Sequence, residues 1–227
     1  MPAAPEEIVA GLWRWTARHP EWHPGAFGAE VGCYALRAGE DVLAIDPLLP
    51  AEPDAVLARL DALVSDRLDV LVTIPYHVRS AAGLWERYRE RAEVTVWGHP
   101  TVAKRLPDAM RGDLRDLRAG PLPGGVRSFP IGSPVRFERP LLLPSHQALV
   151  FGDAVVAVDG RLRVWIQGAA AGSRREAWYR DRFLPTLAPL ADLRPERILV
   201  THGEPVLVGG AEALAAALAA PAWTGPS

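Results

Sequence analysis

Four polar residues stand at the ends of runs that read as buried strands. They are His77 after LDVLVTIPY, His146 after PLLLPS, Asp153 inside ALVFGDAVV and His202 after RILVT. Loops at strand ends are where a rigid scaffold presents functional side chains. Three imidazoles and a carboxylate form a donor set suited to zinc or iron, and the same groups serve general acid–base catalysis. Each histidine taken singly has a plainer reading, a hydrogen-bonded residue at a strand terminus. The four together, far apart in sequence, point to a site that only a fold can assemble. A second group lies in RHPEWHPG, where His19, Glu21 and His23 surround Trp22. That composition suits the mouth or lid of a pocket, and equally a solvated loop whose tryptophan packs on the core. His99, between VWG and Pro100, reads as structural. Cys33, inside VGCYAL, reads as a small buried hydrophobe with no nearby histidine to activate its thiol.

Composition narrows these options. One cysteine excludes an internal disulfide and a Cys-rich zinc site, so any metal centre must be built from histidine and carboxylate. Lys+Arg at 25 against Asp+Glu at 27 leaves a net charge of −2, which argues against nucleic acid as the partner. Hydrophobic residues at 49% and charged residues at 23% are values of a folded core, not of a disordered chain. The start MPAAPEEIVAGLWRW lacks the basic and apolar blocks of a signal peptide, and no apolar run approaches the ~20 residues of a membrane span. The expectation is a cytoplasmic protein without a membrane partner. The preference for arginine over lysine, with abundant Ala and Pro, suggests a GC-rich bacterial genome. No GxGxxG, GxxxxGK[ST] or GxSxG pattern is present.

The elements that must position these residues alternate. VGCYALRAGEDVLAIDP reads as two strands joined at Gly39-Glu40-Asp41, and residues 53–64 as a helix with Val56, Leu57, Leu60, Leu63 and Val64 on one face. LDVLVTI is a buried strand, a helix follows over 80–91, and AEVTVWG is another strand. Two short helices broken near Pro107 are expected over 101–118, and short strands at VRSFP and PLLLP. Asp159-Gly160 between apolar alternations predicts a tight hairpin. A helix from Arg174 towards Leu190, bent near Pro185, precedes the strand RILV and a closing helix in GAEALAAALAA. Strands interleaved with helices imply sheets covered by helices. The economical arrangement is one domain over 1–227, with 1–29 as a Trp- and His-rich loop segment packed on it.

The order of the motifs resembles the metallo-β-lactamase superfamily over about residues 30 to 220. The pieces are LAIDP with Asp46, VTIPYHVRSAAGL, PSH with His146, FGD with Asp153, and VTHG with His202. The resemblance implies a four-layer αββα sandwich of two mixed sheets flanked by helices. It also implies that Asp46 braces the metal loop through hydrogen bonds without binding metal.

The loop departs from the family pattern HxHxDH. Counted back from Gly83, His77 keeps the second His position, while Pro75, Arg79 and Ser80 replace the other donors. Counted forward from Thr73, all four donors are lost and His77 is a spacer. Either register removes a two-metal centre. What remains is one zinc, iron or manganese ion held by His77, His146, Asp153 and His202, or no metal at all. In the metal-free case Arg79 is expected to pair with Asp153 as a fixed cation, or else to point to solvent. Candidate catalytic residues are Asp153, His146, His202, Arg79 and Tyr76. One functional reading is a hydrolase of a small ester, thioester or lactam-type substrate. The other is a metal-free protein that binds a small molecule or does lyase or isomerase chemistry with a histidine base.

Overall fold

The computed structural model describes residues 4–23, 27–132, 137–166 and 172–225. A seven-stranded sheet contains β1 (Glu6–Val9), β2 (Leu12–Arg18), β3 (Glu30–Ala38), β4 (Asp41–Ile45), β5 (Arg67–Leu71), β6 (Glu93–Gly98) and β7 (Leu114–Asp116) in that spatial order. The first four strands pair antiparallel through hairpin-like connections, and from β4 onward the pairing is parallel. Parallel neighbours need crossovers. Helix α1 (Asp54–Leu63) supplies the one from β4 to β5, and α2 (Ala81–Tyr88) the one from β5 to β6.

The second sheet is built from β8 (Arg127–Ser128), β9 (Leu141–Leu143) and β10 (Ala148–Phe151). A separate hairpin of β11 (Val155–Val158) and β12 (Arg161–Val164) follows, and β13 (Arg197–Val200) returns to pair parallel with β10. Asp159 and Gly160 at the hairpin tip both have positive φ, as a tight turn there requires. The outer face carries α3 (Arg174–Trp178), a π-helical turn over Tyr179–Phe183, α4 (Leu184–Ala191) and α5 (Gly210–Ala219).

Side-chain alternation along the strands defines the layers. On β3 and β4, Tyr34, Leu36, Leu43 and Ile45 face the second sheet, while Cys33, Ala35, Val42 and Ala44 face α1 and α2. On β10 and β13, Ala148, Val150 and Leu199 meet the first sheet, while Leu149, Phe151, Ile198 and Val200 pack beneath the outer helices. Three apolar cores between four layers are thus an αββα sandwich.

Three details differ from the sequence-based expectations. Residues 6–18 are strands, not part of an N-terminal loop, because Trp13, Trp15 and Ala17 alternate into the helix-facing core while Arg14 and Thr16 are only partly buried. The two short helices expected over 101–118 are 3-10 helices, Pro100–Arg105 and Asp108–Asp113, and the second gives way to β7 instead of running to 118. The helix expected from Arg174 towards Leu190 carries a π-helical turn, Tyr179–Phe183, just before Pro185, whose missing N–H interrupts the regular helical bonding. Among the described residues no helix is long and apolar enough to cross a membrane.

Gly203 turns the chain out of β13 with φ +87°, and a Cβ there would collide with the Ala157 carbonyl oxygen. Gly203→Ala is therefore expected to cost roughly 2–4 kcal/mol through strain and overlap. A urea unfolding curve with an unchanged midpoint would contradict this account of the turn.

Candidate functional site

β4 and β5 run parallel, so their C-terminal ends open at one edge of the sandwich, and β10 and β13 do the same in the second sheet. Such edges collect polar groups because the chain leaves the ladder there. Asp46 leaves β4 with φ 47°, and its buried carboxylate is the anchor. One oxygen accepts the Thr73 backbone N–H at 2.8 Å, and the other accepts the Thr73 hydroxyl and meets His77 Nδ1 at 2.9 Å. Asp46 therefore braces the loop as the resemblance implies. His77 lies in the 3-10 turn Pro75–Val78, and its Nε2 faces Asp153 Oδ1 at 3.3 Å. From β13, His202 Nε2 approaches the same Oδ1 at 3.7 Å. Two imidazoles from different sheets thus meet at one carboxylate oxygen.

The two rings sit in different fields. Burial and Arg79 pull the His77 pKa down, but Asp153 and Asp46 on either side outweigh them, and the balance is a raised value. His202 lies against Phe27, 5.0 Å between ring centroids, and against Trp165 at 6.0 Å. Burial in that aromatic surround dominates, and its pKa falls to about 4. At neutral pH His202 is a neutral acceptor, whereas His77 is drawn towards its protonated, donating form.

Arg79 does not make the expected pair with Asp153. Its Nη1 donates to the Asp46 carbonyl oxygen at 3.0 Å, and its buried Nε and Nη2 have no hydrogen-bond partner within 3.5 Å among the described residues. The residue holds φ 40°, a conformation uncommon for a side chain of this size, so the loop is shaped against local preference. The guanidinium still lowers the proton affinity of both His77 and His19.

His146 is not part of the site. It precedes β10 whereas Asp153 follows it, which puts the two at opposite ends of a strand, on the order of 20 Å apart. Its ring faces Ser145 Oγ at 2.9 Å and the Ala10 carbonyl oxygen at 3.2 Å. Both residues stand at strand termini as their flanks imply, but at different ends of the sandwich.

Tyr76 is 68% exposed with Arg105 over its ring at 4.4 Å, at the rim of the cleft rather than on the His–Asp chain. The N-terminal segment does reach the site: His19, Glu21, Trp22 and His23 line a cavity of about 550 Å³ together with His77, Asp153 and His202. His99 caps the 3-10 turn that follows it, and Cys33 is fully buried with its pKa raised to about 11 by that burial, so both are structural. Sequence inspection did not find Phe27, Thr73 or Trp165, because nothing in their spacing says that they face these histidines.

No family model and no curated protein sequence matches this chain. Solved structures do. The DIM-1 metallo-β-lactamase superposes with a TM-score of 0.64 at 12% identity, covering 96% of this chain and 95% of that one. A metallo-β-lactamase from Pontibacter korlensis gives 0.62 at 15% identity, covering 95% and 98%. The fold is that of the metallo-β-lactamases. A metallo-β-lactamase family protein from Thermus thermophilus gives 0.56 at 19% identity, covering 93% of this chain and 79% of that one.

The donors of this metallo-β-lactamase-fold chain do not fit the resident metal that the fold family implies. Among the described residues no group of three or more His, Cys, Asp or Glu is arranged to hold an ion. His146 is absent from the site, both nitrogens of His77 face carboxylates, and a permanently charged guanidinium stands in the loop.

Two outcomes follow from the geometry. Asp46→Ala leaves buried donors without an acceptor, so stability should drop by about 3 kcal/mol or more on urea unfolding. For His202, the unfolded chain takes up a proton near 6.5 and the folded one near 4. Stability is therefore full above pH 6.5 and is lost as the pH falls from 6.5 towards 4. His202→Gln should flatten that slope by about one proton, and an NMR titration that leaves the His202 pKa at its ordinary value would contradict the burial argument.

Proposed function

We propose that this protein is a metal-independent enzyme that acts on a small molecule by general acid–base chemistry at His77, Asp153 and His202. One observation carries the reading: two imidazoles with opposed proton affinities face a single Asp153 oxygen. Paired groups whose surroundings drive their pKa values apart are the usual mark of an acid and a base. In this assignment neutral His202 accepts a proton from substrate or from a water held beside it. His77, oriented by Asp46, is the donor, and Asp153 keeps both rings directed into the cleft. Arg79 supplies fixed positive charge beneath the loop. Hydrolysis of an ester, thioester or lactam-type bond and proton transfer at carbon both lie within this chemistry. A net charge of −2 supports a small-molecule partner over nucleic acid.

The test combines metal analysis with turnover of 4-nitrophenyl acetate as a generic probe. The purified protein is expected to carry no stoichiometric zinc, iron or manganese, and its turnover to survive chelator. His202→Gln should lower the rate by about a hundredfold. Activity abolished by chelator and restored by zinc, together with metal lost in Asp153→Ala, would overturn the metal-independent reading.

A further inference from the structure

The cleft does not end at the histidines. A second lobe of about 590 Å³ opens on the other side of Asp153, and the two lobes share Tyr76, Asp153 and Trp165. Its walls are aromatic: Phe137, Trp165, Trp178 and Tyr179. These rings are held by one another and by their neighbours. Trp178 meets Tyr179 edge-on at 5.1 Å and stacks with Phe183 at 5.9 Å, while Phe137 stacks on His99 at 4.5 Å. A wall fixed in this way presents a preformed apolar surface rather than one that must be ordered on binding.

Two cations complete this lobe. Arg174 and Arg175 line it from α3, one turn before Trp178 and Tyr179, so positions i, i+1, i+4 and i+5 of one helical segment face the cleft together. The π-helical turn begins at Tyr179 and widens the backbone where the wall is formed, a device often found beside functional sites. Neither guanidinium is in an ion pair or side-chain hydrogen bond among the described residues. Glu176 accepts the Gly172 N–H, Asp181 pairs with Arg180, and Asp153, the acid that lines this lobe, faces His77 and His202. An apolar chamber with two uncommitted arginines at its mouth is matched by an aromatic body carrying an oxyanion.

We infer that the Phe137–Trp165–Trp178–Tyr179 lobe is the substrate-recognition subsite, binding a ring-bearing molecule whose terminal carboxylate or phosphate is held by Arg174 and Arg175. The inference rests on the proposed function for the direction in which the substrate lies. Asp153, at the junction, repels an anion, so the charged end sits at the arginines and the uncharged reacting bond lies towards His202. The specificity is therefore for an amphipathic aryl anion that reacts at a neutral group remote from its charge.

The experiment measures binding without turnover, by titrating the intact protein with three naphthalene probes: 2-naphthoate, 2-naphthyl phosphate and neutral 2-naphthamide. At least one anion is expected to bind about tenfold or more tightly than the amide, a difference of about 1.4 kcal/mol. Whichever anion is preferred identifies carboxylate or phosphate as the natural terminus. Arg174→Ala/Arg175→Ala should bring the anion down to the affinity of the amide without altering the melting temperature, since both side chains are exposed. Trp178→Phe, which keeps an aromatic wall, should weaken all three probes while preserving their ratio. Equal binding of anion and amide to the unaltered protein, or an unchanged ratio in the double variant, would overturn the inference. Because neither metal content nor catalysis is read, this result separates from the acid–base test. An aryl-anion subsite beside a metal-dependent centre, or an acid–base site without the subsite, would each be recognisable.

Discussion

The buried carboxylate of Asp46 is the constraint on which the site depends. It leaves β4 in a left-handed conformation, takes the Thr73 N–H and hydroxyl, and holds His77 Nδ1, while its own backbone carbonyl receives Arg79. A carboxylate this deep is tolerated only when its lone pairs are filled. Filling them ties the end of β4 to the loop after β5 and fixes which nitrogen of His77 faces outward. The opposite sheet then has one carboxylate to offer that nitrogen, Asp153, and the imidazole of His202 beside it.

Both signs of charge meet at this edge. Asp46 and Asp153 are opposed by the Arg79 guanidinium and by a His77 whose neighbours favour its protonated form. Opposed charges at a partly buried edge offset part of the desolvation penalty that an unpaired group would incur. His202 completes the arrangement from the other side: an aromatic surround keeps it neutral, so donor and acceptor stand on either side of one carboxylate. The arginine has a structural consequence too. Its strained backbone, unusual outside glycine, places a permanent cation in the loop beside these groups.

The cleft takes its shape from elements that belong to neither sheet. The N-terminal segment after β2 supplies His19 and Trp22 to one lobe, while α3 and the π-helical turn supply Trp178 and Tyr179 to the other. The sandwich fixes the position of the reacting groups, and these appended segments decide what can reach them. That division is common where a rigid scaffold carries variable loops.

Much of the architecture was legible in the residues themselves. Alternating apolar positions in VGCYAL, VLAI and ALVF, the helical face of 53–64, the Asp159-Gly160 turn and the ordered motifs from LAIDP to VTHG specify layers and strand identities, because burial on a period of two or 3.6 is written locally. The placing of Asp153 and His202 after their strands was legible as well, and the bracing role of Asp46 was implied by the resemblance. What sequence could not carry was direction. His146 and Asp153 flank the same strand, and only the sandwich decides that they lie at opposite ends of it. Nor could it give partners across the fold, such as Arg79 turning to the Asp46 carbonyl or Phe27 and Trp165 closing on His202. The pattern of one strand records which side chains are buried, whereas the groups that share a site are brought together by the packing of two sheets, and that packing is a property of the whole chain.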